Sequence, residues 1–472
     1  MTFYRDALLG DASNKVVSFT SSMEEDRLIV NEVIDVLVAH VKHLISMELI
    51  PPESGNKILT ALDNLSRNTD ELFKISAEDV HEAIEIYLRN TLGGEAGWLP
   101  LGRSRNDHVV AALRLKTKKL VIECVGEILK LRKLLIEKAH QNLETLLPLA
   151  THLQLAQIST VAHYLMYIEE MLRDFTNILY YTLSDFIDKS PLGSGAIAGT
   201  TVPIDRFELA KLLGFKGLVY NTLYATSSRD FISVTASIIT SLSVALSRVA
   251  EDFIIWATSQ FNYIEPPSSH LATSSMMPHK KNLVSMEVLR AWGGEAIGHL
   301  AAILSVIKSV PSGYNLDLQE VTKHLLRLLL NSIEALTIFR DFIKYMEFKD
   351  KVLNEEVQKY LLTVTDLAEH ISMKYHIPYR DTHKEVASVI KKLGTTDINL
   401  ICFELSKKLG INAEDLLKVV KPENVLRTRK VVGSPNPQLM LLTIKESEKL
   451  LDNDCSRYSA LVEELGILNE CK

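Results

Sequence analysis

The chain has 472 residues, of which 47% are hydrophobic and 24% charged, and its formal net charge is -7. This length allows two to four domains around a large core, and the globular balance of residue types excludes a disordered or low-complexity chain. The net negative charge argues against a nucleic-acid partner, and four cysteines without C-x-x-C spacing indicate a reduced, cytoplasmic protein without zinc or disulfides.

Residues 1–105 are expected to form an amino-terminal helical domain with three amphipathic helices. These helices should cover approximately residues 22–49, 55–68 and 77–92, because apolar residues recur there at helical spacing. No apolar run typical of a signal peptide is present in the first 15 residues. His81 is not followed by a second histidine at the spacing of a zinc-binding helix, so no metal is expected.

Residues 106–349 are expected to form a central bundle of long helices, because they contain long proline-free spans with helical periodicity. The stretch 231–247 is uncharged, but its many Ser and Thr residues favour a helix buried in protein over a membrane span. A helix that is apolar on nearly every face needs neighbours on all sides, which suggests helices from other subunits. Residues 350–472 should form a small carboxy-terminal domain of short helices.

The motif G-R-S-R-N-D at residues 102–107 directly precedes the first long helix of the bundle. Ser104 and Asp107 have the spacing of a capping box, which explains both residues without any function. Capping does not account for Arg105 and Asn106. Arginine and amide groups at the positive end of a helix dipole favour carboxylate binding, so we interpret the motif as functional.

A second motif, T-H-L-Q-L-A-Q at residues 151–157, follows Pro148 and is expected to begin the next helical span. Its histidine, His152, is by position alone a cap or a surface group. The glycine-rich loop at residues 191–206 follows no strand, which excludes a dinucleotide-binding fold.

The third motif lies in the loop at residues 266–287, which three prolines separate from the flanking helices. Hydroxyl groups, two lysines and an amide occur there within ten residues, among them Ser274, Lys280 and Asn282. These groups suit binding a carboxylate and stabilising the charge that grows on it when a neighbouring proton is removed. A polar surface loop is the alternative that composition leaves open.

Taken in order, these motifs resemble those of the fumarase/aspartase superfamily. The run S-S-M-M-P-H-K-K-N at residues 274–282 is similar to the signature S-S-x-M-P-x-K-x-N, and the other motifs resemble those of the argininosuccinate lyase branch. The resemblance implies an all-α, three-domain fumarase/aspartase-like fold with a central long-helix bundle. It also implies a homotetramer with a multi-helix core, in which motifs from three subunits build each active site.

The same resemblance implies a carbon–nitrogen lyase of arginine biosynthesis that reversibly cleaves argininosuccinate to arginine and fumarate without cofactor or metal. Ser274 would be the general base, and Lys280 with Asn282 would hold the succinyl carboxylate. His152, held by Glu287, would assist the leaving nitrogen or orient a water molecule. A serine hydroxyl is a poor base at neutral pH, so its alkoxide needs stabilisation by backbone N–H groups and cations.

The remaining substrate contacts that the resemblance implies are spread along the chain. They are Ser22, Ser104, Arg105, Asn106, Thr151, Arg229, Asn282, Tyr314 and Gln319.

Some positions depart from the family pattern, namely Pro100, Leu101, Ser228 and Thr322, the last with Lys323 one residue later. They leave the elimination chemistry untouched but bear on the amine half of the substrate. Two alternatives therefore stay open. One is a lyase of the same superfamily acting on adenylosuccinate or a diamine disuccinate, and the other is a non-catalytic, crystallin-like structural protein.

Overall fold

The computed structural model describes residues 13–465, so the expectations for the first twelve residues and for Cys471 lie outside the described residues. Helices dominate the described range, and the all-α fold class is confirmed. The amino-terminal part contains five helices, α1 (Asn14–Thr20), α2 (Met23–Asp26), α3 (Val30–Ser46), α4 (Pro52–Ser66) and α5 (Val80–Leu92).

The central part contains the long helices. In chain order the helices are α6 (Arg105–Gln141), α7 (Val161–Thr182), α8 (Arg206–Leu212), α9 (Thr222–Ser227), α10 (Asp230–Ala257), α11 (Val284–Ile307) and α12 (Val321–Tyr345). With 37 residues, α6 is about 55 Å long. It packs against α7 and α12, while α10 packs against α11, α7 and α12. Their apolar faces meet in one continuous core, which confirms the predicted long-helix bundle.

The carboxy-terminal part contains seven helices, α13 (Asp350–Lys359), α14 (Val364–Tyr375), α15 (Tyr379–Leu393), α16 (Ile398–Leu409), α17 (Ala413–Val419), α18 (Pro422–Thr428) and α19 (Pro437–Glu464). Helices α14 to α17 surround a small core of their own. The expectation of short helices is wrong for α19, which has 28 residues. Met440, Ile444 and Leu451 of α19 join the central core, and the helix packs on α6 and α7. The division into three domains at residues 105 and 349 stays a prediction.

Strands occur only as four short pairs within residues 13–465. They are β1 (Leu146–Thr151) with β2 (Gln154–Thr160), β3 (Lys189–Ser190) with β4 (Gly217–Leu218), β5 (Ile264–Glu265) with β8 (Glu347–Phe348), and β6 (Ala272–Thr273) with β7 (Lys281–Asn282). The β3–β4 pair is parallel and the other three are antiparallel. Single turns of 3-10 or π helix lie at Thr69–Lys74, Gly93–Trp98, Leu183–Ile187, Ser268–His270 and Leu316–Gln319.

The β1–β2 hairpin corrects the expectation that residues 151–157 begin a helix. His152 and Leu153 form its two-residue turn with φ values of 56° and 60°. Such left-handed turns match the twist of antiparallel strands. Pro148 disfavours helical geometry for the residue before it and has no N–H for a helix ladder, which favours the extended backbone of β1. Helix α7 begins only after the hairpin, at Val161.

Helix α10 is long and apolar enough to cross a membrane, and half of its most apolar window is buried within the single chain. Core helices of globular proteins share this composition. The hydroxyl groups of its outer face bond within the helix, since Ser237 Oγ donates to the Ser233 carbonyl at 2.8 Å and Ser241 Oγ to the Ser237 carbonyl at 2.9 Å. Ser233, Ser237 and Ser241 therefore form a row of small side chains on that face, which we call the small-residue stripe.

Candidate active site

The amino terminus of α6 carries the G-R-S-R-N-D motif and forms the predicted capping box. Ser104 Oγ accepts from the Asn106 N–H at 3.2 Å, and the Ser104 N–H donates to Asp107 Oδ1, also at 3.2 Å. The motif is tied to the glycine-rich loop, because the Gly195 N–H donates to Asp107 Oδ2 at 2.9 Å and Asn106 Nδ2 to the Ala196 carbonyl at 3.0 Å. Capping alone therefore accounts for Ser104, and the loop contact occupies the amide of Asn106.

One pocket brings together five of the predicted substrate contacts. It has a volume of about 180 Å³ and is lined by Ser22, Arg105, Arg229, Tyr314 and Gln319. We call it the arginine-lined pocket. Arg105 Nη2 donates to Gln319 Oε1 at 3.3 Å, and Gln319 Nε2 donates to the Thr20 carbonyl at 3.1 Å. Burial lowers the pKa of Arg229 to about 10, so its guanidinium stays charged at neutral pH.

Four carboxyl groups that were not predicted from the sequence also line this pocket, among them Asp26 and Asp79. Asp79 Oδ2 lies 2.5 Å from Arg105 Nε, and Asp26 Oδ2 accepts from Ser22 Oγ at 2.9 Å. Burial, and after it the charge of Asp79, raises the pKa of Asp26 to about 7. The sequence signal for the contact between Ser22 and Asp26 is their four-residue spacing, which places both side chains on one face of a helix.

His81 lines the same pocket as a neutral group. It is 3% exposed, and burial lowers its pKa to about 4. Neither ring nitrogen has a hydrogen-bond partner within residues 13–465. The pocket therefore combines guanidinium groups, carboxyl groups and a neutral imidazole within a small volume. This set suits a ligand that carries both an amine and a carboxylate.

Ser274 begins the loop that the β6–β7 pair closes, and Lys280 ends it. Ser274 Oγ accepts from the backbone N–H groups of Met276 at 3.2 Å and Met277 at 3.1 Å. Two N–H donors on one hydroxyl oxygen stabilise an alkoxide, which is the support that a serine base requires. The same bonds also serve as an ordinary turn cap. Met276 at the tip is 88% exposed, so the loop projects from the chain.

Lys280, Asn282 and Glu287 line a second pocket, of about 660 Å³, at the base of this loop and the first turn of α11. Lys281 pairs with Glu265 at 3.8 Å. Lys280, in contrast, has no ion-pair partner among the residues that the structure describes. Its ammonium group is therefore available to a carboxylate.

The third location is the turn of the β1–β2 hairpin. Thr151 ends β1, and His152 occupies the turn, where both are exposed. His152 borders a pocket of about 880 Å³ whose walls include Tyr164 and Trp256. Within the described part of one chain, His152 forms no hydrogen bond or ion pair with Glu287. The predicted His–Glu pair is therefore not made inside a single subunit.

Apart from Ser104 and Asn106 at the start of α6, the predicted site residues thus occupy three separate surfaces of one chain. These surfaces are the arginine-lined pocket, the loop at residues 274–280 with its pocket, which we call the signature loop, and the hairpin turn. Their cavities share no predicted site residue. Each surface holds part of the groups that an elimination requires.

Comparison with known proteins identifies the family. A family model described as "Lyase" matches residues 9–298. An argininosuccinate lyase from Pyrococcus furiosus is 51% identical over 458 residues, which cover 97% of each chain. The chain belongs to the argininosuccinate lyase family. A second argininosuccinate lyase, from Sulfolobus acidocaldarius, is 40% identical over 97% of this chain and 96% of its own. The resemblance inferred from the sequence motifs is confirmed, and with it the prediction of a lyase.

Solved structures support the fold of this argininosuccinate lyase family member. An EDDS lyase in complex with formate has a TM-score of 0.84 at 24% identity and covers 93% of this chain and 89% of its own. A class II fumarase from Schistosoma mansoni has a TM-score of 0.74 at 17% identity, with coverage of 84% and 90%. The predicted fumarase/aspartase-like fold is confirmed.

Proposed function

We propose that the chain catalyses the reversible elimination of argininosuccinate to arginine and fumarate in active sites that three subunits of a homotetramer share. The observation that carries this proposal is the placement of the family's motif residues on three separate surfaces, each chemically incomplete. Four chains related by symmetry present these surfaces to one another. A cytoplasmic location and membership of arginine biosynthesis belong to the same proposal.

In this mechanism Ser274 takes a proton from the carbon next to a succinyl carboxylate. Lys280 and Asn282 bind that carboxylate and stabilise the negative charge that develops on it. The electron pair left on that carbon forms the double bond of fumarate as the carbon–nitrogen bond breaks. The bonding pair leaves with the nitrogen, which takes up a proton and becomes part of the guanidinium of arginine. His152, oriented by Glu287 of another subunit, supports proton delivery to that nitrogen or orients a water molecule.

The arginine-lined pocket is proposed to hold the amine half of the substrate. Ser22, Tyr314 and Gln319 offer hydrogen-bonding groups there, and Arg105, Arg229 and Asp26 supply charge of both signs. The departure at Thr322 is compensated in this pocket. Both Thr322 and Lys323 line it, and Lys323 Nζ is held 2.6 Å from Glu320 Oε2. A lysine one residue later thus brings its ammonium group to the same cavity.

Exposed apolar side chains on α11 support the tetramer. Ile297 is 53% exposed and Leu304 48%, and their seven-residue spacing places them along one side of the helix. Together with the small-residue stripe of α10, they form a surface that a monomer would leave against water. Packing with the same helices of other chains would bury both.

The test is fumarate release, followed by ultraviolet absorbance, with argininosuccinate, adenylosuccinate and a diamine disuccinate in parallel. The proposal predicts turnover of argininosuccinate and sedimentation as a tetramer. Turnover of another succinylated amine in its place would reassign the substrate. Absence of turnover with all three would favour the structural-protein alternative.

A further inference from the structure

Arg429, the residue after α18, connects the carboxy-terminal part to the β1–β2 hairpin. Its Nε and Nη2 donate to the two carboxylate oxygens of Asp366 in α14, each at 3.0 Å. Its Nη1 donates to the backbone carbonyl of Ile158 in β2 at 2.6 Å. The side chains of Arg429 and Asp366 are 17% and 10% exposed, so water screens this arrangement little. A bidentate pair fixes the guanidinium plane and thus the direction of the third bond.

The acceptor on the hairpin is a carbonyl opposite a proline. Ile158 pairs with Pro148, which has no backbone N–H to donate. The side chain of Ile158 is 1% exposed and packs with Val357, Leu362 and Leu426 from the carboxy-terminal part. A charged hydrogen bond and a small apolar cluster therefore hold this part of the hairpin together.

The backbone of Arg429 is fixed as well. Its carbonyl oxygen accepts from Asn436 Nδ2 at 3.0 Å and from Ser434 Oγ at 3.3 Å. Asn436 also caps α19, which packs on the central bundle. The guanidinium is consequently anchored to both the small domain core and the long helices.

The opposite end of the hairpin carries Thr151 and His152. At about 3.4 Å per residue, the turn lies about 15 to 20 Å from Ile158. A tilt of a few degrees near Ile158 therefore displaces the imidazole by about 1 Å, and a misplacement of that size costs about 100-fold in rate. We propose that Arg429 is a positioning residue for the elimination, setting the direction in which the hairpin delivers His152 to the site of a neighbouring subunit. This inference rests on the proposed function.

The test compares Arg429→Ala and Arg429→Lys with Arg427→Ala in the full-length tetramer. Arg427 is the matched control, because it lies two residues away and its side chain, within residues 13–465, makes a single ion pair, at 3.6 Å with the exposed Glu144. Arg429→Ala is expected to lower kcat for fumarate release about 10- to 100-fold. The KM for argininosuccinate should change less than about threefold, because the substrate pockets are untouched. Arg429→Lys keeps the charge without the bidentate geometry, so its kcat should lie between those of the wild type and Arg429→Ala.

A structural readout accompanies the kinetics. Amide hydrogen exchange in residues 146–160 is expected to rise in Arg429→Lys while exchange in α6 and α10 stays as in the wild type. Unchanged kcat in both Arg429 variants would overturn the positioning role. A loss of kcat that equals the loss in the tetrameric fraction of the protein would overturn it too, because it would indicate a general folding role. If the wild-type chain releases no fumarate, the proposed function fails and the positioning role fails with it, whereas an active wild type with active Arg429 variants refutes the positioning role alone.

Discussion

At the residue scale, the decisive contact is the pair of backbone N–H groups on Ser274 Oγ. Two such fixed dipoles would stabilise an alkoxide at Ser274, as the proposed base role requires. The signature loop supplies these donors from its own turn. The proposed base is therefore preorganised by contacts within its own chain.

Ser274→Ala should reduce fumarate release by about 10³-fold or more while the oligomer stays intact, since the variant removes the base but no packing. Ser275→Ala is the matched control, because Ser275 is the adjacent, exposed hydroxyl. Its rate should stay close to that of the wild type. Turnover of Ser274→Ala at a near-normal rate would refute the base assignment.

A second residue-scale prediction concerns acid stability. Burial, and after it the charge of Arg103, holds the pKa of His108 well below its ordinary value of 6.5. The folded chain keeps this imidazole neutral while the unfolded chain protonates it. The free energy of unfolding therefore falls as the pH drops below 6.5. One such group contributes a loss of about 2 kcal/mol between about pH 7 and about pH 5.

His108→Leu should reduce the acid-induced loss of unfolding free energy by that amount, as measured by denaturant unfolding at the two pH values. His383→Leu, at an exposed histidine, should leave the loss unchanged. An equal pH dependence in His108→Leu and the wild type would contradict the neutral buried imidazole.

At the element scale, most helices follow from the sequence, because proline positions and apolar periodicity set their limits. The ends of α4 (Pro52–Ser66) and α5 (Val80–Leu92) lie within three residues of the predicted ranges 55–68 and 77–92. The β1–β2 hairpin was missed, because two residues with positive φ, His152 and Leu153, replace the usual Asn-Gly turn signal. The length of α19 and its packing on the central bundle were not predicted, because they depend on tertiary contacts that apolar periodicity does not reveal.

Variants of Ser104, the N-cap residue of α6, distinguish a capping role from a substrate-binding role. Ser104→Ala removes the cap and should lower the free energy of unfolding by about 1 kcal/mol. Ser104→Asp restores the cap without the hydroxyl, so it should recover stability. If Ser104 also contacts substrate, as the family resemblance implies, the KM for argininosuccinate stays raised in both variants. Recovery of stability and KM together in Ser104→Asp would leave Ser104 with a capping role alone.

At the scale of the whole molecule, the sequence predicts a set of site residues but not which of them share a surface. Five of them meet in the arginine-lined pocket because α2, α6 and the segment before α12 converge there. Asp26 lies in the same pocket and accepts a hydrogen bond from Ser22. The four-residue spacing of these two residues is the sequence signal for this contact, and neither residue belongs to a motif. Ser104 and Asn106 lie at the start of α6. The remaining residues lie on the signature loop with the first turn of α11 and on the hairpin, and we propose that other chains bring these surfaces together.

The sharing of active sites between subunits is the central claim, and mixed tetramers test it most directly. His152→Asn and Ser274→Ala chains, each inactive alone, are co-expressed with different tags and purified as mixed tetramers. Because the two groups come from different chains, random assembly should restore about a quarter of wild-type fumarate release. A mixture of Ser274→Ala and Lys280→Ala should restore none, since both residues lie on one loop. Absence of recovery in the first mixture would mean that one chain supplies both groups, and would contradict the account.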